Sequence, residues 1–307
     1  MRILFMGTPD IAAACLKALC NAGMNVVGAV SQPDRPKGRG HRLVPTEVRA
    51  AADALNIPVF QPEKIKNGEL QPVLDELKPD LIAVVAYGKI LPKYIIEYPP
   101  KGCINLHASL LPKLRGAAPV QWAVINGDKE TGVTTMLMDE GLDTGDMLLS
   151  EKLGIGEYET SEQLFERITS LGAKLLVRTI NEIDSIIPVP QDHDKQTYAP
   201  MLTKEMAHID WSKPTAEISK LICGMNSWPM AYSIYMGENV KIVSAVKGEG
   251  VAGENGEIIG FTKGKGLQVK TGDGSLYITC AQFPNCKRMD IEEYLRGHRI
   301  EYGTVLN

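Results

Sequence analysis

The stretch Gly102-Cys103-Ile104-Asn105-Leu106-His107-Ala108-Ser109-Leu110-Leu111-Pro112, continued from Lys113 to Asp146 as KLRGAAPVQWAVINGDKETGVTTMLMDEGLDTGD, decides the reading of this chain. Cys103 to His107 alternates polar and apolar residues, the pattern of a strand, and side chains two apart on a strand share a face. Asn105 and His107 therefore emerge together, beside a loop. After one helix-like and one strand-like stretch, a carboxylate follows in the glycine-bracketed loop Gly141-Leu142-Asp143-Thr144-Gly145. Three polar groups are expected to meet at one sheet edge.

Working outward, Arg2 to Met6 reads as an apolar strand that runs into Gly7-Thr8-Pro9-Asp10 and a helical pattern over Ile11 to Cys20. Strand-like Asn25 to Val30, Pro58 to Phe60, Asp80 to Val85 and Gly102 to His107 follow, with a helix near Glu69 to Leu77. Such alternation predicts an α/β domain with a Rossmann-like parallel sheet. The dinucleotide form of that fold needs a G-x-G-x-x-G turn after the first strand. Here the turn is Gly-Thr-Pro-Asp, in which Pro9 lacks an amide donor, so no NAD site is expected.

Ser161 to Ile183 carries apolar residues at helical spacing, with Thr160 or Ser161 as the cap. Proline and polar residues then interrupt the pattern, which places a catalytic domain at 1–188, a linker at 189–207 and a second domain at 208–307. The second domain has a helix at Thr215 to Cys223 and about five short strands separated by glycine turns. That combination predicts a small β-barrel, OB-like in kind.

At 307 residues and 44% hydrophobic, the chain is long enough for two cored domains. It has no uninterrupted apolar run of about 18 residues, so no membrane span is expected. Gly7-Thr8-Pro9-Asp10 breaks the N-terminal apolar run too early for a secretory signal. The six cysteines form no C-x-x-C pair, which argues against a metal site and a disulfide framework and for a reduced, cytoplasmic protein. A net charge of −4 requires any polyanion to be met by a local basic patch.

An Asn amide can donate to a carbonyl oxygen as it gains negative charge. A histidine can shuttle a proton near neutral pH or, when cationic, hold that oxygen. Aspartate can orient the imidazole and take a proton from an attacking amine. Together Asn105, His107 and Asp143 suit transfer of a one-carbon acyl group to an amine. Cys103 reads as a buried structural thiol, and Ser109 lacks the G-x-S-x-G elbow of a hydrolase. Isolated Asn or His residues near strand ends are usually just satisfied polar groups; the surrounding pattern is what sets these apart.

That pattern resembles the folate-dependent formyltransferases: G-C-x-N-x-H-x-S-L-L-P at Gly102 to Pro112, R-G at Arg115-Gly116, Pro119, T-G-V-T at Thr131 to Thr134, Met138, and D-x-G at Asp143 to Gly145. The resemblance implies 10-formyltetrahydrofolate as formyl donor and Asn105, His107 and Asp143 as the catalytic set. It also places the folate against Ser109, Leu110, Leu111 and Pro112 and against the loop of Tyr87, Gly88, Ile90 and Leu91. Backbone groups of such loops can pair with a pterin while leucines cover its ring.

Five further stretches resemble the family members whose acceptor is initiator Met-tRNA: Gly7-Thr8-Pro9-Asp10, Gln32 to Gly40, Val85 to Pro92, Ile209-Asp210-Trp211 and Trp228-Pro229. That resemblance spans both domains and implies an enzyme that makes formylmethionyl-tRNA; a monomer is the expected state. His41 and Ser227-Trp228-Pro229-Met230 depart from the usual pattern and bear on the details of tRNA contact. Between Ser31 and Thr46, four basic residues, Arg35, Lys37, Arg39 and Arg42, stand against Asp34 alone. Glycines 38 and 40 suit a loop that enters a phosphate-lined stem. Lys204 to Asn307 carries twelve basic and twelve acidic residues, so Lys263 and Lys265 are expected to bind tRNA more weakly. Alternative readings are a formyltransferase for a small amine such as an amino sugar nucleotide or glycinamide ribonucleotide, a formyltetrahydrofolate hydrolase, and a non-catalytic tRNA-binding protein.

Overall fold

A computed structural model describes residues 1–37 and 42–307; at Lys37 and Arg42 it describes the backbone alone. The chain divides into two compact units. The first comprises Met1–Gly116, Gly132–Leu153 and Glu166–Tyr198; the second comprises Ala117–Thr131, Gly154–Phe165 and Ala199–Asn307.

The first unit is built on a seven-stranded sheet. Its strands are β1 (Arg2–Gly7), β2 (Asn25–Val30), β3 (Val59–Phe60), β4 (Leu81–Val85), β5 (Cys103–His107), β6 (Glu130–Leu137) and β7 (Met147–Gly154). They lie side by side in the order β7-β6-β5-β4-β1-β2-β3. β1 pairs with β2 and β4, β4 with β5, and β2 with β3, all in parallel. Residues 3–6 of β1 and all of β4 are buried, as strands covered on both faces must be.

One edge adds an antiparallel strand to this parallel sheet. β6 runs antiparallel to β5, with Asn105 opposite Met136 and His107 opposite Thr134. The connection into β6 runs through a helix, Pro119–Ile125, that groups with the second unit.

The first turn shows why glycine and threonine stand there. A Cβ at Gly7 would come within 2.5 Å of Ala12 Cβ and 2.8 Å of the Val85 carbonyl oxygen, so only glycine allows helix α1 (Asp10–Asn21) to approach β4 this closely. Thr8 Oγ1 donates to the Tyr87 carbonyl at 3.1 Å, joining the turn to the loop after β4. On the other side of β5, Leu106 packs toward Gly172 of the long helix Ser161–Glu182, where a Cβ would meet Leu106 Cδ2 at 2.8 Å. Leu106 lies on the opposite strand face from Asn105 and His107, which leaves that pair free of the helix. At the helix start the Gln163 amide donates to Thr160 Oγ1 and Gln163 Oε1 accepts from the Thr160 amide, a reciprocal cap.

In the second unit, strands β8 (Tyr232–Tyr235), β9 (Glu238–Lys247), β10 (Ile258–Thr262), β11 (Gly266–Lys270) and β12 (Ser275–Gln282) form a curled antiparallel sheet in the order β8-β9-β12-β11-β10. The short strand β13 (Met289–Asp290) adds to β12. The outer strands β8 and β10 do not pair with each other. Residues 303–307 cover both edges instead. Asn307 N donates to Ile234 O at 3.1 Å, while Ile258 N donates to Thr304 O and Leu306 N to Gly256 O, each at 2.9 Å. Closing a sheet removes unpaired edges, and here a terminal segment does so. Trp211, 4% exposed, lies in the resulting core and donates from Nε1 to Ser233 Oγ at 2.9 Å.

Candidate active site

The alternation in β5 puts Asn105 and His107 on one face, and the Asp143 loop comes to them. Asp143 Oδ2 lies 3.6 Å from His107 Nδ1, and Asp143 Oδ1 accepts from Asn105 Nδ2 at 3.5 Å. The three residues expected from sequence alone therefore meet. His107 and Asp143 are mostly shielded, with side-chain exposures of 6% and 13%, and a shielded pair interacts more strongly than an exposed one. Asn105 is only half buried.

Other contacts define the protons. His107 Nε2 lies 2.8 Å from the Leu114 carbonyl oxygen, which can only accept, so Nε2 carries a proton and Nδ1 is the nitrogen facing the carboxylate. Asp143 Oδ2 also accepts from the Gly116 amide at 2.9 Å. The backbone at Asp143 has φ of 53°, the left-handed region that costs a non-glycine residue strain and is held only by its surroundings. Cys103 is no rival as nucleophile. Burial pushes its thiol up to about 12, and Sγ donates to the Ile95 carbonyl at 3.4 Å.

The motif fragments around these residues acquire physical reasons. Thr134 Oγ1 donates to Ser109 O at 2.8 Å and accepts from Leu111 N at 3.3 Å, so the Thr-Gly-Val-Thr strand pins the Ser-Leu-Leu-Pro turn. Gly132 lets the turn and β7 close in, since a Cβ there would meet Glu151 O at 2.1 Å and Leu110 Cδ2 at 2.6 Å. A cavity of about 450 Å³ opens beside the Asp143 loop, lined by Arg115, Leu142, Thr144, Gln196, Thr197 and Tyr198.

A model described as Formyl transferase matches residues 1–180, and one described as Formyl transferase, C-terminal domain matches residues 201–299. The chain belongs to the formyl transferase family. Among its relatives is a methionyl-tRNA formyltransferase of Alkaliphilus oremlandii (strain OhILAs), 48% identical over 308 residues that cover 100% of this chain and 99% of the relative. A methionyl-tRNA formyltransferase of Clostridioides difficile (strain 630) is 45% identical with 100% of each chain covered. Similar solved structures include the N-formyltransferase from Helicobacter canadensis in complex with folinic acid and dTDP-3-aminofucose, with TM-score 0.65, 19% identity, and 89% of this chain and 97% of that chain covered. HypX from Aquifex aeolicus in complex with tetrahydrofolic acid aligns with TM-score 0.62 and 18% identity over 99% of this chain, which spans 50% of that one. At those identities the likeness is one of fold.

The formyl transferase loops expected to meet folate divide by what they expose. Tyr87 and Leu91 are 2% and 3% exposed, and burial pushes the Tyr87 hydroxyl up to about 12, so their side chains belong to the core. Ser109 is fully buried, with its hydroxyl donating to Lys113 O at 2.6 Å, and Leu111 is buried as well. Leu110 and Pro112 are half buried, while Ile90 is 75% exposed. What these loops offer a ligand is therefore mainly backbone, together with Ile90. Gly88, at φ 81°, leaves room for Gln32, whose Nε2 donates to Tyr87 O at 2.9 Å. The sequence resemblance includes Gln32 in the stretch Gln32 to Gly40 but gives it no role of its own; its place next to Pro33 carries no periodic signal.

Of the expected tRNA contacts, Arg39 lies outside the described residues, and the side chains of Lys37 and Arg42 do also. The backbone there forms a two-stranded hairpin, Arg35–Lys37 with Arg42–Val44. Arg35 is exposed and donates to Gln32 Oε1 at 3.2 Å. Asp34 does not offset the hairpin's charge. It is engaged at the hairpin's base by Gln61, the Thr46 amide and Arg49, which hold its carboxyl below the usual range. In the second unit Lys263 and Lys265 are exposed on the turn between β10 and β11, and Lys265 pairs with Glu249 at 3.3 Å.

Proposed function

We propose that this enzyme transfers the formyl group of 10-formyltetrahydrofolate to the free amino group of initiator Met-tRNA, giving formylmethionyl-tRNA and tetrahydrofolate. One observation carries the reading: the Asn105, His107, Asp143 cluster occurs in a chain similar along its whole length to proteins named methionyl-tRNA formyltransferase. Labelled formyl donor offered Met-tRNA, an amino sugar nucleotide, glycinamide ribonucleotide and water alone should give rapid transfer to Met-tRNA only. Preferred transfer to either small amine, or release of formate at the same rate without an acceptor, would overturn the assignment.

The amine nitrogen bonds to the formyl carbon, the bond from that carbon to its carrier nitrogen breaks, the amine gives up a proton, and the departing carrier nitrogen takes one up to leave as tetrahydrofolate. Asn105 fits the formyl oxygen. Its amide has one long contact, to Asp143, and is half exposed, so a second N–H is free to donate as charge develops there. The His107 Nδ1 and Asp143 Oδ2 pair, with Nε2 tied to Leu114 O, is the place where the amine's proton is received and held. Carrier binding draws on the backbone of the Ser109 to Pro112 turn and of the Tyr87 to Leu91 loop.

Arg35, Lys37, Arg39 and Arg42 supply the electrostatic contact to the acceptor stem, with a lesser contribution from Lys263 and Lys265. The reading includes a cytoplasmic monomer. Among the described residues no helix is long and apolar enough to cross a membrane. Reversing Arg39 and Arg42 to Glu is expected to raise the apparent KM for Met-tRNA by about tenfold or more at low salt, with a shallower salt dependence and an unchanged KM for the formyl donor. An unaltered tRNA KM would remove the hairpin from the interface.

A further inference from the structure

We infer that Gln191 is a positioning residue for formyl transfer, fixing the Asp143 carboxylate by gripping the backbone of its loop. Gln191 falls in Pro190-Gln191-Asp192-His193, a stretch that reads as linker, yet it is only 5% exposed. Its Nε2 donates to the Asp143 carbonyl at 2.9 Å and to the Gly145 carbonyl at 2.7 Å. Its Oε1 accepts from Arg115 Nε at 3.1 Å and Nη2 at 2.7 Å. Both ends of the amide are thus used, one on the loop and one on a fixed guanidinium.

The guanidinium is itself unusual. Arg115 is 4% exposed, and its remaining partners are Gln196 Oε1 at 2.6 Å and His193 Nδ1 at 3.2 Å. Among the described residues it forms no ion pair. A buried cation with only neutral partners is a costly way to fill space. What an arginine provides there is a rigid fork of donors, which fixes which way the Gln191 amide points.

The loop needs such a grip. Gly141 and Leu142 are exposed, and Asp143 holds a left-handed backbone. Asp139 Oδ1 accepts from Gly141 N at 3.0 Å and Thr144 Oγ1 at 2.7 Å, but these bonds tie the loop to itself. The other ties are a 3.6 Å pair between the exposed Glu140 and Lys93 side chains and the contacts of the reacting carboxylate with Gly116 N, Asn105 and His107. Gln191 anchors the loop without occupying that carboxylate. It therefore holds Asp143 at its distance from His107 while the carboxylate exchanges partners during transfer.

The inference rests on Asp143 acting in the proposed transfer, and one set of variants separates the two. Gln191→Glu keeps size and the acceptor toward Arg115 but removes both donors to the loop carbonyls. It is expected to lower kcat by about 10- to 100-fold, as loss of positioning does, with KM for Met-tRNA and formyl donor within about twofold. Arg115→Lys, which keeps the charge and loses the fork, should lower kcat by a smaller factor with the same KM values, and serves if Gln191→Glu folds poorly. A residue needed only for packing would leave kcat of the folded fraction unchanged. If Asp143→Asn lowers kcat and both of these variants stay within threefold of wild type, the positioning role is wrong; if Asp143→Asn is itself without effect, the catalytic reading fails first.

Discussion

Asp143→Asn is expected to lower kcat for formyl transfer by about 10²- to 10⁴-fold, the range associated with loss of a positioned acid-base group, with KM for Met-tRNA little changed. The substitution preserves shape, so the effect must come from hydrogen-bond capacity and charge. The carboxylate takes the Gly116 amide and the His107 Nδ1 side on Oδ2, and the Asn105 amide on Oδ1. A carboxamide has one acceptor oxygen and would turn N–H groups toward at least one of these donors. It also cannot receive the amine's proton. Circular dichroism melting alongside single-turnover transfer would separate chemistry from folding, and a folded Asp143→Asn enzyme within threefold of wild type would refute the assignment.

Gly145→Ala is expected to cost both stability and turnover. A Cβ at Gly145 would stand 1.8 Å from the Leu137 carbonyl oxygen and 3.4 Å from the Asp139 amide nitrogen. Neither atom can swing aside as the tip of a side chain can, so the loop must shift outward. Overpacking of this kind costs roughly 1–3 kcal/mol. The shift also carries the Gly145 carbonyl away from Gln191 and moves Asp143 relative to His107. A displacement of about 1 Å in a reacting group can cost about 10²-fold in rate. Gly250→Ala is the matched control, since nothing lies within 4 Å of a Cβ there; it should stay within about 0.5 kcal/mol of wild type. Equal melting temperatures and rates for the two variants would contradict the argument.

Period-two alternation in Cys103 to His107 was enough to place Asn105 and His107 on one face, because face selection in a strand is a local property. The glycine bracket marked the Asp143 loop for a similar reason: tight turns restrict which residues fit. Gln191 escaped detection because its role depends on groups 46 to 76 positions away, and its neighbours have the composition of a connector. The antiparallel return of β6 was hidden because the helix before it looks like any crossover helix. Likewise Gly303 to Asn307 is too short and polar to read as a strand, yet it seals both edges of the second unit's sheet. Tyr87 and Leu91 lie in the loop after β4, but burial, which sequence does not report, keeps their side chains inside.

The pairing of β5 between β4 and β6 has a consequence for how this site can change. Asn105 lies opposite Val84 on one side and Met136 on the other. A single residue inserted or deleted just before Cys103, with the strand sliding to keep its neighbours, would turn Ile104 and Leu106 toward the carboxylate and drive Asn105 and His107 against the long helix. Point substitutions can tune this centre by degrees, whereas length changes at that place abolish it in one step. A substitution there removes one side chain from the centre, whereas a one-residue slip removes Asn105 and His107 together.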